Sequence, residues 1–286
     1  MSILAHAETR VIIQGITGRQ GKFHAEKLLE YKVKLVGGVT PGKGGQEVHG
    51  VPVFDTISEA GQAVDFDATL ILVPAAGVLD AALEAIENRI PLIVVIPEFI
   101  PVHDAMIMRE AAGEAGVRLI GPNTIGVISP GKSKIGMMPG FIYKPGHVGI
   151  VSRSGTLTHE ISSNLTYRGI GQSSCICIGG DICKGTDFVD ILKLFRDDEE
   201  TRSVIMIGEI GGASEETAAN YLMESPYPKK VLAYIAGRNV PEDKKMGHAG
   251  AIVSNGIGTA ESKITALEKA GVIVVERMDD IFQHLT

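Results

Sequence analysis

No apolar run in this 286-residue chain reaches the ~18 residues a membrane span needs, so it is expected to make no contact with the bilayer. Its N-terminus, Met1-Ser-Ile-Leu-Ala-His-Ala-Glu, carries neither the basic start of a secretion signal nor an Arg-rich transit sequence, and a cytoplasmic location is expected. Cysteine is scarce: Cys175, Cys177 and Cys183 lie in one short segment. An odd number so placed argues against a disulfide framework and fits a reducing compartment. No further ligand at metal-site spacing accompanies them, so no metal is expected. Positive charge is also in deficit, with a net charge of -7, which argues against a nucleic-acid surface. The 35 glycines and 13 prolines are spread along the chain and do not form low-complexity tracts. What remains is 44% hydrophobic and 21% charged, ordinary for a globular protein long enough for two domains.

Short apolar runs alternate with amphipathic segments. In the first half, strands are expected over Arg10–Gln14, Lys34–Gly38, Thr69–Val73, Leu92–Ile96 and Arg118–Ile120. Helices are expected between them over Gly21–Tyr31, Ile57–Val64, Gly77–Asn88 and Val102–Ala115. The second half repeats the pattern, with strands over His147–Ser152, Ser174–Ile178, Ser203–Ile207, Val231–Ile235, Gly250–Val253 and Val272–Val275. Its helices are Thr156–Tyr167, Asp187–Phe195, Ser214–Met223 and Ala260–Ala270. Such alternation implies two α/β domains with doubly wound parallel sheets, which bind ligands at the carboxyl ends of their strands. The turn-rich stretch that follows Gly121-Pro122-Asn123 divides the chain into 1–121 and 122–286.

In the first domain the first strand runs into Gly15-Ile16-Thr17-Gly18-Arg19-Gln20-Gly21. Glycines at this spacing permit a tight turn and bring a phosphate close to backbone N–H groups at a helix N-terminus. They equally suit a plain packing turn. The second strand ends without the acidic residue that holds a free ribose of NAD. It runs instead into Thr40-Pro41-Gly42-Lys43-Gly44-Gly45, whose lysine suits an extra phosphate and so NADP or coenzyme A. Ile96-Pro97-Glu98-Phe99 places a carboxylate at the same edge, as a cap or a ligand.

In the second domain, Ser152-Arg153-Ser154-Gly155-Thr156 follows a strand and opens a helix, which makes an anion site. Gly179-Gly180-Asp181 and Gly208-Glu209-Ile210-Gly211-Gly212 end the next two strands. Lys244-Lys245-Met246-Gly247-His248-Ala249-Gly250-Ala251 presents an imidazole between glycines. A ring of ordinary pKa near ~6.5 is a usable nucleophile at neutral pH, and a carboxylate on one nitrogen leaves the other free to attack. His248 and Glu209 are the expected pair, and Ser154 and Gly155 begin the helix expected to bind the phosphate.

These motifs, over essentially the whole chain, resemble the succinate–CoA ligase alpha-subunit family. The resemblance implies a Rossmann-like CoA-binding domain followed by a flavodoxin-like domain that carries a phosphohistidine. It assigns His248 as the phosphorylated residue and Glu209 as its partner, with Thr17, Gly18, Arg19, Gln20, Lys43, Ile96, Pro97 and Glu98 lining the coenzyme A site. It further implies a beta subunit of ATP-grasp fold that binds ATP or GTP with Mg2+, in an αβ or α2β2 assembly. This chain has no Walker A lysine motif of its own. Departures from the family's usual pattern gather near the acyl pocket. His159 stands where the family has tyrosine, Thr124-Ile125 replaces Cys-Pro, Pro97-Glu98-Phe99 replaces Thr-Glu-Gly, and Ile182 follows Gly179-Gly180-Asp181 in place of proline. His159, Thr124 and Ile125 are therefore the expected substrate residues. The acid is succinate or another short acidic acid such as malate or citrate. Readings of another class are an NADP-dependent oxidoreductase and a non-catalytic CoA-binding protein.

Overall fold

A computed structural model describes residues 2–224, 226–238, 247–253 and 258–285. It divides into two compact units.

The N-terminal unit comprises Leu4–Gly140 with Cys183–Gly185. Its chain order is β1 (Arg10–Gln14), α1 (Arg19–Glu30), β2 (Lys34–Val39), β3 (Glu47–Val48), β4 (Val51–Phe54), α2 (Ile57–Ala63), β5 (Ala68–Ile71), α3 (Val78–Glu87), β6 (Leu92–Val95), α4 (Val102–Ala115) and β7 (Arg118–Ile120). A short antiparallel pair follows, β8 (Gly126–Ser129) and β9 (Ser133–Gly136). The sheet runs β3-β4-β2-β1-β5-β6-β7. All its pairings are parallel except β3 with β4. Apart from β3, this is the 3-2-1-4-5-6 order of a dinucleotide-binding sheet, with its ligand crevice at the carboxyl ends of β1 and its neighbours.

Local chemistry explains most of these elements. The runs Ile12-Ile13 and Ile93-Val94-Val95 are β-branched and fully buried, as strands covered on both faces must be. Helix α1 buries Gly21, His24, Ala25 and Leu28, the spacing of one helical face. Thr56 caps α2 by accepting from the Glu59 N–H, and Gly116 ends α4 in the left-handed region at φ 69°.

The C-terminal unit takes the described residues of 1–3, 141–182 and 186–286. It contains β10 (Pro145–Ser152), α5 (Gly155–Tyr167), β11 (Gln172–Cys177), α6 (Phe188–Asp197), β12 (Ser203–Glu209), α7 (Ser214–Glu224), β13 (Lys230–Ala236), α8 (Ala260–Lys269) and β14 (Ile273–Val275). Its strands pair in parallel in the order β14-β13-β12-β10-β11. This is the flavodoxin-like arrangement, with its switch point between β10 and β12. Phe188 and Phe195 on α6 are fully buried against this sheet. Among the described residues, no helix is long and apolar enough to cross a membrane.

Two expectations differ from what is seen. Gly250–Val253 forms no strand, because its hydrogen bonds go elsewhere. The Gly250 N–H donates to the Gly180 carbonyl at 3.2 Å, and the Ala251 N–H turns back to the His248 carbonyl at 3.1 Å. The stretch after Gly121 is also more than a connection. Its Pro130-Gly131 signal is the turn of β8 and β9, and the N-terminal unit runs on to Gly140.

Candidate functional site

The first constellation lies at the carboxyl end of β1. Gly15 has φ +86°, and a Cβ at Gly21 would stand 2.1 Å from the Gly15 carbonyl oxygen. Only glycine allows this turn to close so tightly onto α1. Helix α1 starts from Gly18, which makes no side-chain cap, so its first N–H groups and positive dipole end have no competing partner from that residue. Gly18, Arg19 and Gln20 are exposed around this end, and Thr17 is half-buried. Thr17 bonds Thr40 at the end of β2, hydroxyl to hydroxyl at 3.2 Å. That contact ties the turn after β1 to the loop carrying Lys43, which is exposed and whose N–H donates to the Thr40 carbonyl at 3.0 Å.

Beyond β6, Ile96 is buried, Pro97 is half-buried and Glu98 is exposed. Phe99 is held at φ 63° with its ring 83% exposed. A glycine-lined turn, an open helix end and an exposed lysine on the neighbouring loop suit a phosphate-bearing nucleotide cofactor. Thr124 is buried and accepts from the Gly126 N–H at 2.9 Å, while Ile125 is half-buried. Both belong to the N-terminal unit, whereas His159 belongs to the C-terminal unit.

The second constellation lies at the carboxyl ends of β10, β11 and β12. His248 Nδ1 lies 2.8 Å from Glu209 Oε2. The ring side chain is 28% exposed and that of Glu209 is 9% exposed, so the imidazole is anchored on its buried side and still reachable. The bond to Glu209 raises the imidazole pKa, against the opposing pull of burial and of Arg153 nearby. With Nδ1–H donated to the carboxylate, Nε2 carries the free lone pair. Gly180 lies against the ring face, where a Cβ would come within 2.4 Å of its Cγ. Residues 244–246 of the histidine motif lie outside the described residues.

Ser154 is the cap of α5 and accepts from the Leu157 N–H at 3.3 Å. The Ser154 N–H is in turn held by the Ser152 hydroxyl at 3.0 Å. Gly155 and Thr156 thus begin the first turn, whose N–H groups have no acceptor within the helix and can meet an anion. Sequence reasoning missed what lies beneath. Arg153, taken as part of the anion loop, is 3% exposed and ion-paired with both Glu209 and Glu215. Glu215 on α7 and Lys263 on α8 are fully buried and paired with each other. His159, on the second turn of α5, has a buried Nε2 with no hydrogen-bond partner among the described residues, and burial pushes its pKa down, which favours the neutral ring. Its ring meets that of Tyr143 edge-on, with centroids 6.4 Å apart.

Comparison with known proteins places both constellations in matched regions. Residues 6–99 match a CoA binding domain, and residues 151–273 match a CoA-ligase family. The chain is 56% identical to succinate–CoA ligase (ADP-forming) subunit alpha 2 of Archaeoglobus fulgidus, over 96% of this chain and 95% of that protein. It is 50% identical to the corresponding alpha subunit of Methanothermobacter thermautotrophicus, over 99% of this chain and 96% of that one. Among solved structures, the fold matches ATP citrate lyase of Methanosaeta concilii with a TM-score of 0.91 at 24% identity, covering 99% of this chain. The chain spans about half, 50%, of that protein's length. It also matches an acetyl-coenzyme A synthetase of Ca. Korarchaeum cryptofilum with a TM-score of 0.77 at 20% identity, over 96% of this chain and 59% of that one.

Proposed function

Because this chain belongs to the succinate–CoA ligase alpha-subunit family, we propose that it is the CoA-binding, phosphohistidine-bearing subunit of an NDP-forming acid–CoA ligase. The observation that carries the proposal is the His248–Glu209 pair, an imidazole fixed at Nδ1 by a buried carboxylate and exposed on its other side.

The reaction divides into three balanced transfers. Nε2 of His248 attacks the terminal phosphorus of a nucleoside triphosphate held by a partner beta subunit, and the diphosphate leaves. An oxygen of the acid's carboxylate then takes the phosphoryl group from Nε2, giving an acyl phosphate and the free imidazole. A thiol finally takes the acyl group and inorganic phosphate leaves. Coenzyme A supplies that thiol. Thr17, Gly18, Arg19, Gln20, Lys43, Ile96, Pro97 and Glu98 are the residues proposed to hold it, with backbone donors for phosphates and Lys43 for the 3′-phosphate. Glu209 fixes the tautomer and balances the positive charge that the ring acquires on phosphorylation. Ser154 and Gly155 present the α5 N-terminus to the phosphoryl oxygens. The nucleotide with Mg2+, the ATP-grasp fold of the partner, an αβ or α2β2 assembly and a cytoplasmic location belong to the same proposal.

One observation favours an acid other than succinate with unchanged chemistry. The buried Nε2 of His159 has no hydrogen-bond partner among the described residues, and a turn of the ring toward the acid would let it meet an additional polar group, such as the hydroxyl of malate or citrate. The test is to co-express the chain with its beta subunit and assay CoA-ester and NDP formation across succinate, malate, citrate and other short acids. Ester formation dependent on nucleoside triphosphate is expected. Hydride transfer to NADP, or CoA binding without turnover, would overturn the proposal.

A further inference from the structure

The phosphohistidine reading above rests on a loop rich in glycine, and glycine holds nothing in place by itself. Something must keep His248 on Glu209. The buried guanidinium of Arg153 lies beneath both. Its Nη1 donates to the carbonyl of Glu209 at 3.3 Å, the carbonyl of Gly211 at 3.0 Å and the Glu215 carboxylate at 3.1 Å. Its Nη2 reaches the Gly250 carbonyl at 3.5 Å and Glu209 Oε1 at 3.2 Å.

We propose that Arg153 is the positioning residue of the phosphohistidine site: one buried guanidinium that binds the Glu209–Gly211 turn, the Gly250 end of the histidine loop and the Glu209 carboxylate into a single frame, and so fixes the ring of His248. The inference rests on the reading of His248 as the nucleophile, but its geometry is independent of that reading.

Three features support it. Arg153 is 3% exposed and its Nη groups are already engaged by protein acceptors, so it is not poised as a phosphate ligand. Among the described residues Glu209 Oε1 has no hydrogen-bond partner, so the ion pair with Arg153 is what holds that oxygen while Oε2 holds the ring. The guanidinium is itself braced. Glu215 Oε1 accepts from Arg153 and from the Glu209 N–H at 3.1 Å, and Glu215 Oε2 is paired with the fully buried Lys263. Lys263 also donates to the Gly212 carbonyl at 3.0 Å and to Glu216 at 3.1 Å. Arg153 thus links the two glycine loops directly and reaches α8 through Glu215. Only a planar fork with several donors can serve so many acceptors at once.

The test separates positioning from mere charge. Among the described residues, the charged groups acting on His248 are Glu209, Arg153 and Asp181. As a neighbouring cation alone, Arg153 depresses the ring's pKa, and removing it would raise that pKa. As the residue that holds Glu209, its removal frees or protonates the carboxylate, and the ring's pKa falls. Histidine-labelled full-length chain would be titrated by NMR as wild type, Arg153→Gln and Arg153→Lys, with the His248 signal assigned by its loss in His248→Asn. In complex with the beta subunit, the rate of phosphoryl transfer to the chain would be measured beside the KM for coenzyme A. In Arg153→Gln the His248 pKa is expected to fall, and transfer to slow by about a hundredfold, the effect of misplacing a reacting group by roughly 1 Å, with KM for coenzyme A unchanged. Arg153→Lys keeps the charge and loses the fork, and is expected to lose at least about tenfold in rate. A rise in His248 pKa, or a rate within about threefold of wild type in either variant, would overturn the proposal. If Arg153→Gln does not fold, Arg153→Lys decides. If the wild-type chain takes no phosphoryl group at all, the functional reading fails, while the titration still decides whether Arg153 positions the ring.

Discussion

Gly180→Ala adds one methyl group against the ring face of His248, the proposed nucleophile. The added Cβ would lie 2.4 Å from Cγ, 2.6 Å from Nδ1 and 2.7 Å from Cδ2 of His248, all inside the contact distance of carbon and nitrogen. The ring must retreat by about 1 Å to reach ordinary contact. Its anchor is a 2.8 Å bond to Glu209, which a shift of that size stretches or breaks. Gly180 has no left-handed φ, so the backbone itself tolerates alanine. Misplacement of a nucleophile by about 1 Å costs roughly a hundredfold in rate, equivalent to about 2.7 kcal/mol of barrier. The assay is a rapid-quench measurement of phosphoryl transfer from nucleoside triphosphate to the chain in complex with its partner, beside a thermal unfolding curve of the variant. A fall of about a hundredfold with the midpoint nearly unchanged is expected. A rate within about threefold of wild type would show that the ring does not react from its place against Gly180, and the geometric argument would fall with it.

Glu209→Gln removes the group that raises the His248 pKa. The protonated ring cannot attack, so the acid limb of the pH–rate profile should move to lower pH while the plateau drops; an unmoved limb would show that Glu209 does not hold the reacting ring. The same pair stabilises the fold below the ordinary histidine pKa of ~6.5 and loses that contribution as pH rises through the raised folded value, so the variant's stability deficit should shrink above that range. Lys43→Ala should weaken coenzyme A by about tenfold and 3′-dephospho-CoA by less than about twofold, one charge-assisted contact's worth; equal losses in calorimetric titrations would remove Lys43 from 3′-phosphate recognition. His159→Tyr should shift the kcat/KM ratio toward succinate and away from hydroxylated acids, and a ratio moving less than about threefold would leave position 159 a wall residue.

The elements that buried one face or both against a sheet were legible in the sequence. The Arg10–Gln14, Val102–Ala115 and Arg118–Ile120 segments lie where periodicity and apolar runs place them. The glycine turn after β1 was legible because its chemistry is local: a left-handed φ and a close backbone approach demand glycine wherever they occur. The proximity of His248 and Glu209 was legible because each lies inside a glycine-framed segment, Glu209 at the end of β12 and His248 between Gly247 and Gly250. Gly250–Val253 misled because an apolar run reads as a strand, and only contact with Gly180 decides otherwise. β8 and β9 are so short that their turn residues outweigh their apolar ones. The frame under the site left no local trace. Glu215 sits in the first turn of α7 and Lys263 in α8, where such charges ordinarily face water, and each is buried by a partner 48 residues away in the chain. Arg153 read as a loop cation because nothing adjacent to it announces Glu209 or Glu215.

The central claim is that His248 carries a phosphoryl group between nucleotide and acid. The direct measurement is to incubate the complex with nucleoside triphosphate labelled in its terminal phosphate, quench in base, and locate the acid-labile label by peptide mapping in the wild type and in His248→Asn. The account predicts stoichiometric label on His248 that discharges on adding the acid and coenzyme A together, and none in the variant. Label on another residue, or CoA-ester formation at more than about a tenth of the wild-type rate by His248→Asn, would contradict it.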